Sequence, residues 1–74
     1  MHNEFLKDGE RAIIVAIKGN NEFQNFLMSN GITLGTIFTK NYSPTFAKLI
    51  NFSIGNKMLS LKATDFELLE FVKI

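Results

Sequence analysis

The chain contains no cysteine. That excludes a disulfide framework, a thiolate metal site and a thiol nucleophile, and it suits a reducing compartment. Histidine occurs once, as His2 at the very start. With one imidazole and no thiolate, the chain cannot assemble the nitrogen- and sulfur-rich donor sets that hold zinc or iron. Proline occurs once, as Pro44, and arginine once, as Arg11. No basic run is present: Lys7, Arg11, Lys18, Lys40, Lys48, Lys57, Lys62 and Lys73 are spread along the chain, and the net charge is only +1. The concentrated basic face of a nucleic-acid binder is therefore not expected. The longest apolar run, Ala12 to Ile17, is too short to span a bilayer. The opening Met-His-Asn-Glu-Phe-Leu-Lys-Asp has no apolar core for a secretion signal. The expectation is a cytoplasmic chain that touches a membrane only through a partner.

What is present is 46% hydrophobic residues in 74 positions. That length means one domain, residues 1–74. A domain of this size buries only about 60% of the surface its unfolded chain exposes, so most apolar side chains must serve the core and little is left for a substrate cavity. Asp65-Phe66-Glu67 carries paired carboxylates, but no histidine, serine or cysteine nucleophile accompanies them, as acid–base or covalent catalysis would require. Glu4, Asp8 and Glu10 could loosely gather a hard cation, and Asp65, Glu67 and Glu70 could do the same; both sets read instead as hydrated surface groups. No enzyme, no cofactor and no metal site is expected.

The stretch Phe23 to Tyr42 organises the chain. Before it, Met1 to Glu10 form a lead-in whose first eight residues are expected to fray, with Phe5 and Leu6 able to tuck under the domain and Lys7-Asp8-Gly9-Glu10 forming a turn. Arg11 to Lys18 is a β-branched strand, apolar on both faces and so expected to be covered on both. Glu22 to Asn30 is a short helix capped by Asn20 or Asn21 and stopped by Gly31. Its apolar stripe is Phe23, Phe26 and Leu27, with Gln24, Asn25 and Ser29 facing water and Met28 at the border. Ile32 to Gly35 is a tight connection, and Thr36 to Tyr42 is the second strand, with Ile37 and Phe38 in the core. Asn41 to Lys48 is a loop around Pro44. Leu49 to Ile54 is a strand that turns Ile50, Phe52 and Ile54 to one side. Gly55-Asn56 signals a hairpin into a strand over Lys57 to Leu61. Lys62 to Glu67 reads as one helical turn, and Leu68 to Lys73 as the last strand.

Five short strands with one helix after the first predict a mainly β fold, a small SH3-like barrel that closes its sheet and hides its edges. An oligonucleotide-binding barrel is the nearest alternative, but its helix usually follows the third strand. Most of the eight phenylalanines must be core. Phe46, beside Lys48 in the proline loop, has two readings: a partner contact, or a side chain folded back over the end of the barrel.

The order of elements resembles the FeoA family, the small cytoplasmic companions of the bacterial ferrous-iron transporter FeoB. The resemblance runs from about Leu6 to Val72. It rests on Gly9 followed by Ala12, Ile14 and Ile17; on the small-residue turn Gly31-Ile32-Thr33-Leu34-Gly35; on the proline loop and hairpin; and on the closing Leu59-Ser60-Leu61-Lys62-Ala63-Thr64-Asp65-Phe66-Glu67-Leu68-Leu69. Leu34 stands where the family usually has proline, Asn30 where it has leucine, and Lys62 where it has arginine. Gln24 lies near an often basic position, and the family's Gly-Asp-Pro loop is absent.

The resemblance implies an SH3-like module without catalytic activity that binds the cytoplasmic G-domain or the membrane part of FeoB. By position, its partner-facing residues are Gln24, Met28, Asn30 and Leu34, with Pro44, Phe46 and Lys48 as a second loop. No nucleic-acid partner is implied, and an exposed strand edge could pair two copies weakly. The other reading is an SH3-like regulatory domain like the C-terminal module of metal-dependent repressors, which shares the fold.

Overall fold

The computed structural model describes residues 5–74. Five strands and two helices follow one another: β1 (Arg11–Ile17), α1 (Asn21–Ser29), β2 (Ile37–Lys40), β3 (Leu49–Ile54), β4 (Lys57–Lys62), α2 (Ala63–Phe66) and β5 (Leu69–Lys73). A single 3-10 turn, Thr45–Ala47, lies between β2 and β3. All strand pairs are antiparallel, in the order β4-β3-β2-β1-β5. This is a mainly β, SH3-like arrangement, as expected. β4 and β5 are not paired with each other, however, so hydrogen-bonded closure does not hide every edge.

The core forms because alternate residues of each strand face one side. Ala12 and Ile14 of β1, Phe38 of β2, Phe52 of β3, Leu61 of β4, and Leu69 and Phe71 of β5 are all buried, joined by Leu6, Leu27 and Ile32. Phe38 sits at the centre. Phe52, Phe66 and Phe71 approach it edge-on, with ring centroids at 5.7, 5.8 and 5.4 Å, the geometry that the charge distribution of aromatic rings favours. Phe66 reaches this cluster from the single turn of α2, which leans over β3 and β4. Its core role is not legible in a segment that reads only as one helical turn.

Several expectations need correction. β2 is four residues long rather than spanning Thr36 to Tyr42. Thr36 is held instead in the preceding turn, where its N–H bonds to the Thr33 carbonyl at 3.1 Å and its hydroxyl accepts the Thr33 N–H at 3.0 Å. Ile37 is 45% exposed. It is directly paired with Ile13, which is paired in turn with Val72, so these three form a row on the outer face of the sheet. Val15, the extra residue of a β1 bulge between Ile14 and Ala16, is also exposed, so β1 is not covered on both faces. The α1 stripe is narrower than expected: Leu27 is buried and Phe23 packs on the core, but Phe26 is 54% exposed. Residues four apart share a helix face, whereas Phe26 lies about 100° round from Leu27.

The lead-in is pinned from Leu6 onward. Leu6 is buried while Phe5 is exposed. Gly9 adopts φ +87° and donates its N–H to the Lys40 carbonyl at 2.7 Å. The expectations for His2 and Glu4 fall outside the described residues.

Candidate functional site

The segment after β1 builds a shallow groove. Asn20 caps α1 by accepting the Phe23 N–H on its Oδ1 at 2.9 Å. The helix ends when Gly31 turns to φ +78°, which lets the Ile32 N–H reach back to the Leu27 carbonyl at 2.9 Å. That reversal buries Ile32 and leaves Leu34 exposed at the tip of the following turn. The turn is closed by the Gly35 N–H donating to the Ile14 carbonyl at 2.8 Å. Between β1, α1 and this turn lies a groove of about 370 Å³, lined by Val15, Ala16, Ile17, Gln24, Met28, Ile32, Thr33 and Leu34. None of its lining side chains is charged.

Three of the expected partner-facing residues, Gln24, Met28 and Leu34, therefore meet in one groove. Gln24 is not turned wholly to water: it is half-buried and donates from Nε2 to the Gly19 carbonyl at 3.1 Å. Asn30 does not line the groove. Its side chain donates from Nδ2 to the Phe26 carbonyl at 2.8 Å, and its own carbonyl accepts from the Lys57 Nζ at 3.4 Å. Its role is to finish the helix.

The second loop is built differently. The Ser43 hydroxyl donates to the Asn41 carbonyl at 3.1 Å and accepts the Asn51 N–H at 2.8 Å. Asn51 donates from Nδ2 to the Tyr42 carbonyl at 2.9 Å and accepts the Ser60 hydroxyl at 2.6 Å. Asn41 donates from Nδ2 to Ser53 Oγ at 2.7 Å. This network of amides and hydroxyls ties the loop to the β3–β4 hairpin. Pro44 and Lys48 share a depression of about 180 Å³ with Lys40 and Ala63. Phe46 stands outside it, 88% exposed, so it does not fold back over the barrel end. Lys48 adopts φ +54°, a left-handed backbone uncommon for a residue with a side chain. The Ala63 N–H bond to the Lys48 carbonyl, at 2.9 Å, holds it there. The two depressions share no lining residue: Gln24, Met28 and Leu34 line one, Pro44 and Lys48 the other, and Asn30 and Phe46 neither. A further depression, about 420 Å³, is lined by Phe5, Leu6, Phe66 and Phe71 and holds none of these seven.

Two acidic residues of the lead-in, Asp8 and Glu10, are paired with lysines. Asp8 meets the Lys40 Nζ at 2.7 Å and Glu10 meets the Lys73 Nζ at 3.4 Å. The bond that Glu10 accepts from the Lys7 N–H at 2.7 Å outweighs the opposing desolvation and, with the Lys73 charge adding to it, holds its carboxyl below the ordinary 4.5. Glu70 is largely covered and pairs with Lys18 at 3.4 Å, rather than standing on an exposed face. Among the described residues no three carboxylates or imidazoles gather in a way that could hold a metal ion.

Counting basic residues along the chain missed a separation of charge. All seven acidic residues lie at Glu4, Asp8, Glu10, Glu22, Asp65, Glu67 and Glu70, so none falls from Phe23 to Thr64. The legible signal was that acid-free interval, not any basic run.

The comparisons with known proteins agree with this architecture. Among curated protein sequences none matches the chain. Among solved structures, a manganese-dependent transcriptional repressor in complex with manganese superposes with a TM-score of 0.84 at 18% identity, over 92% of this chain and 33% of that one. A metal-dependent transcriptional regulator, MtsR, gives 0.82 at 19% identity, over 93% of this chain and 34% of that one. The chain thus spans about a third of the length of the repressor chains it matches. A crystal structure of an iron uptake regulatory protein, FeoA, gives 0.80 at 21% identity, over 93% of this chain and 91% of that one. These likenesses establish the SH3-like fold. The FeoA domain description matches residues 4–70 of the sequence, and the chain belongs to that family.

Proposed function

We propose that this domain is a non-catalytic accessory module of ferrous-iron uptake that binds the cytoplasmic part of a FeoB-type transporter. The observation that carries the reading is the uncharged groove beside α1, where Gln24, Met28 and Leu34 come together in a chain of the FeoA family. Exposed apolar side chains around a concave, uncharged surface suit a protein contact better than a polar ligand. Among the described residues no helix is long and apolar enough to cross a membrane. On this reading the module works in the cytoplasm and reaches the membrane through its partner.

The test is an NMR amide-shift titration of the labelled chain with the cytoplasmic G-domain of the FeoB from the same organism. Shifts clustered on Gln24 to Leu34 support the reading, and Met28→Glu with Leu34→Glu should weaken binding about tenfold or more. Unchanged spectra at high G-domain concentration, with unchanged iron uptake in cells lacking this chain, would overturn it.

A second reading has its own support. The superpositions on metal-dependent repressors cover about a third of each repressor, as a detached regulatory module would. On that reading, the chain co-purifies from its own cells with a helix-turn-helix protein rather than with a transporter.

A further inference from the structure

We propose that the β3–β4 hairpin docks an acidic polypeptide segment, which adds to β4 as an extra strand. Three features of the hairpin converge on this. The first is charge. Within the acid-free interval, Lys40 is neutralised by Asp8, but Lys48, Lys57 and Lys62 form no ion pair among the described residues. β3, β4 and the Lys48 turn carry cations alone, the next acid along the chain being Asp65 of α2, and their complement is an anion.

The second is the edge. β4 pairs on one side only, with β3, and the Gly55-Asn56 turn sets Ile54 opposite Lys57. Hydrogen bonding alternates along an antiparallel strand. Lys57, Leu59 and Leu61 therefore bond inward, and Met58, Ser60 and Lys62 turn their N–H and C=O groups outward. An unpaired row of this kind is a template for another strand. β5, at the other end of the sheet, is not equivalent, because Leu69, Phe71 and Lys73 each carry further interactions.

The third is a seat at the end of the strand. Lys48 and Lys62 line a depression of about 240 Å³ together with Ala63 and Thr64. The left-handed backbone of Lys48 and the pairing of Leu49 with Lys62 bring the two lysines to the same place. The lining is almost wholly apolar, so the depression seats an apolar side chain of the segment against the lysine stems.

These features also choose the occupant. Two copies of the hairpin laid edge to edge would bring six cations together and no carboxylate, so a second copy is disfavoured. A nucleic acid would supply phosphates, but it has no strand ladder to satisfy the β4 backbone, and the hairpin has no arginine. An extended acidic segment meets both needs: its backbone pairs with Met58 and Ser60, and every second side chain faces the same way as Lys62.

The experiment uses the full chain, isotopically labelled, with a synthetic decapeptide of alternating glutamate and valine. The controls are the lysine–valine decapeptide and a ten-base oligothymidylate. The expected result is amide shifts at Met58, Ser60 and Lys62, with at least about tenfold slower amide exchange there, for the acidic peptide only. Lys48→Glu combined with Lys62→Glu should weaken binding about tenfold or more. Met58→Pro should weaken it similarly while the fold persists, since it removes an N–H that no internal bond uses. Equal binding of the lysine peptide, or shifts that avoid β4, would overturn the proposal. Displacement of the peptide by oligothymidylate would reassign the face to nucleic acid. None of these outcomes depends on whether the FeoB G-domain binds.

Discussion

The two ends of the sheet neutralise their charges in different ways. Around β1, β5 and the lead-in, acids and bases alternate and every ion pair seen among the described residues occurs there: Lys18 with Glu70, Lys40 with Asp8, and Lys73 with Glu10. β3 and β4 themselves carry no acid, and their polar side-chain bonds run among amides, hydroxyls and a carbonyl: Asn41 with Ser53, Asn51 with Tyr42, and Ser60 with Asn51. Ion pairs on a surface contribute about 0–1 kcal/mol each, and a neutral hydrogen bond contributes about as much. The two ends are therefore of similar local strength. They differ in what they leave over: the first end joins three lysines to acids, and the second leaves Lys48, Lys57 and Lys62 without an ion pair among the described residues.

Phe38 joins the two ends, and its removal gives the largest expected effect. Its ring touches Phe52 of the hairpin and Phe71 of the ion-paired side. Phe38→Ala should cost about 3–5 kcal/mol, enough to unfold much of a domain this small. Thermal melting followed by amide signals from both ends should show one lowered transition. Two separate transitions would mean that the ends fold independently, and the comparison would have to be redrawn as one of two units.

A smaller loss is expected at the boundary with the groove. A Cβ at Gly31 meets nothing within 4 Å, so any cost of substitution there is backbone strain at φ +78° and not a clash. Gly31→Val should lower stability by about 2 kcal/mol, a fall of roughly 8–15 °C in Tm. An unchanged Tm would show that the helix end does not need the left-handed turn.

Lys48→Gly should move stability the other way. The glycine adopts φ +54° without strain, so a gain of about 0.5–1 kcal/mol is expected. The same variant loses one of the three lysines that form no ion pair among the described residues, and so should bind the acidic peptide less well. Stability and binding moving in opposite directions would sharpen the view that the hairpin is built for a partner. Both falling together would assign Lys48 to folding alone.

The smallest effect is a pH dependence confined to the ion-paired end. The Glu10 carboxyl is held below 4.5 in the folded chain, so the unfolded chain binds more protons near that pH. Its contribution is present above the ordinary value and is lost as pH falls through the lowered one. Glu10→Gln should flatten the acid limb of the stability–pH curve between those values, measured by chemical denaturation. An acid limb of unchanged slope would remove Glu10 from the account.

Much of the fold was legible in the residues. The glycine turns at Gly9, Gly31 and Gly35, the Asn20 cap and the Gly55-Asn56 hairpin all followed from local chemistry, and β3 has the expected bounds, Leu49–Ile54. The candidate site was legible only in part. Gln24, Met28 and Leu34 share a groove, but Asn30 spends its side chain on the helix end, and Pro44 and Lys48 belong elsewhere.

The sequence by itself determined the type and order of the elements, because turn propensity, capping and strand alternation are properties of neighbours along the chain. Only the tertiary structure decided which apolar side chains were left outside, which carboxylates found lysines, and which strand edge stayed open. Ile37 and Phe26 satisfy an apolar pattern as well as Phe38 and Leu27 do; the pairing of β1 with β2 and the seat of α1 chose between them. Phe66 became part of the core because a turn after β4 leans back over Phe52 and Phe38. The cationic hairpin arose in the same way: folding brought Lys40 to Asp8, while Lys48 and Lys62 came to line one depression without an ion pair among the described residues. Each of these outcomes depends on contacts between residues far apart in the chain, and local pattern carries no information about them.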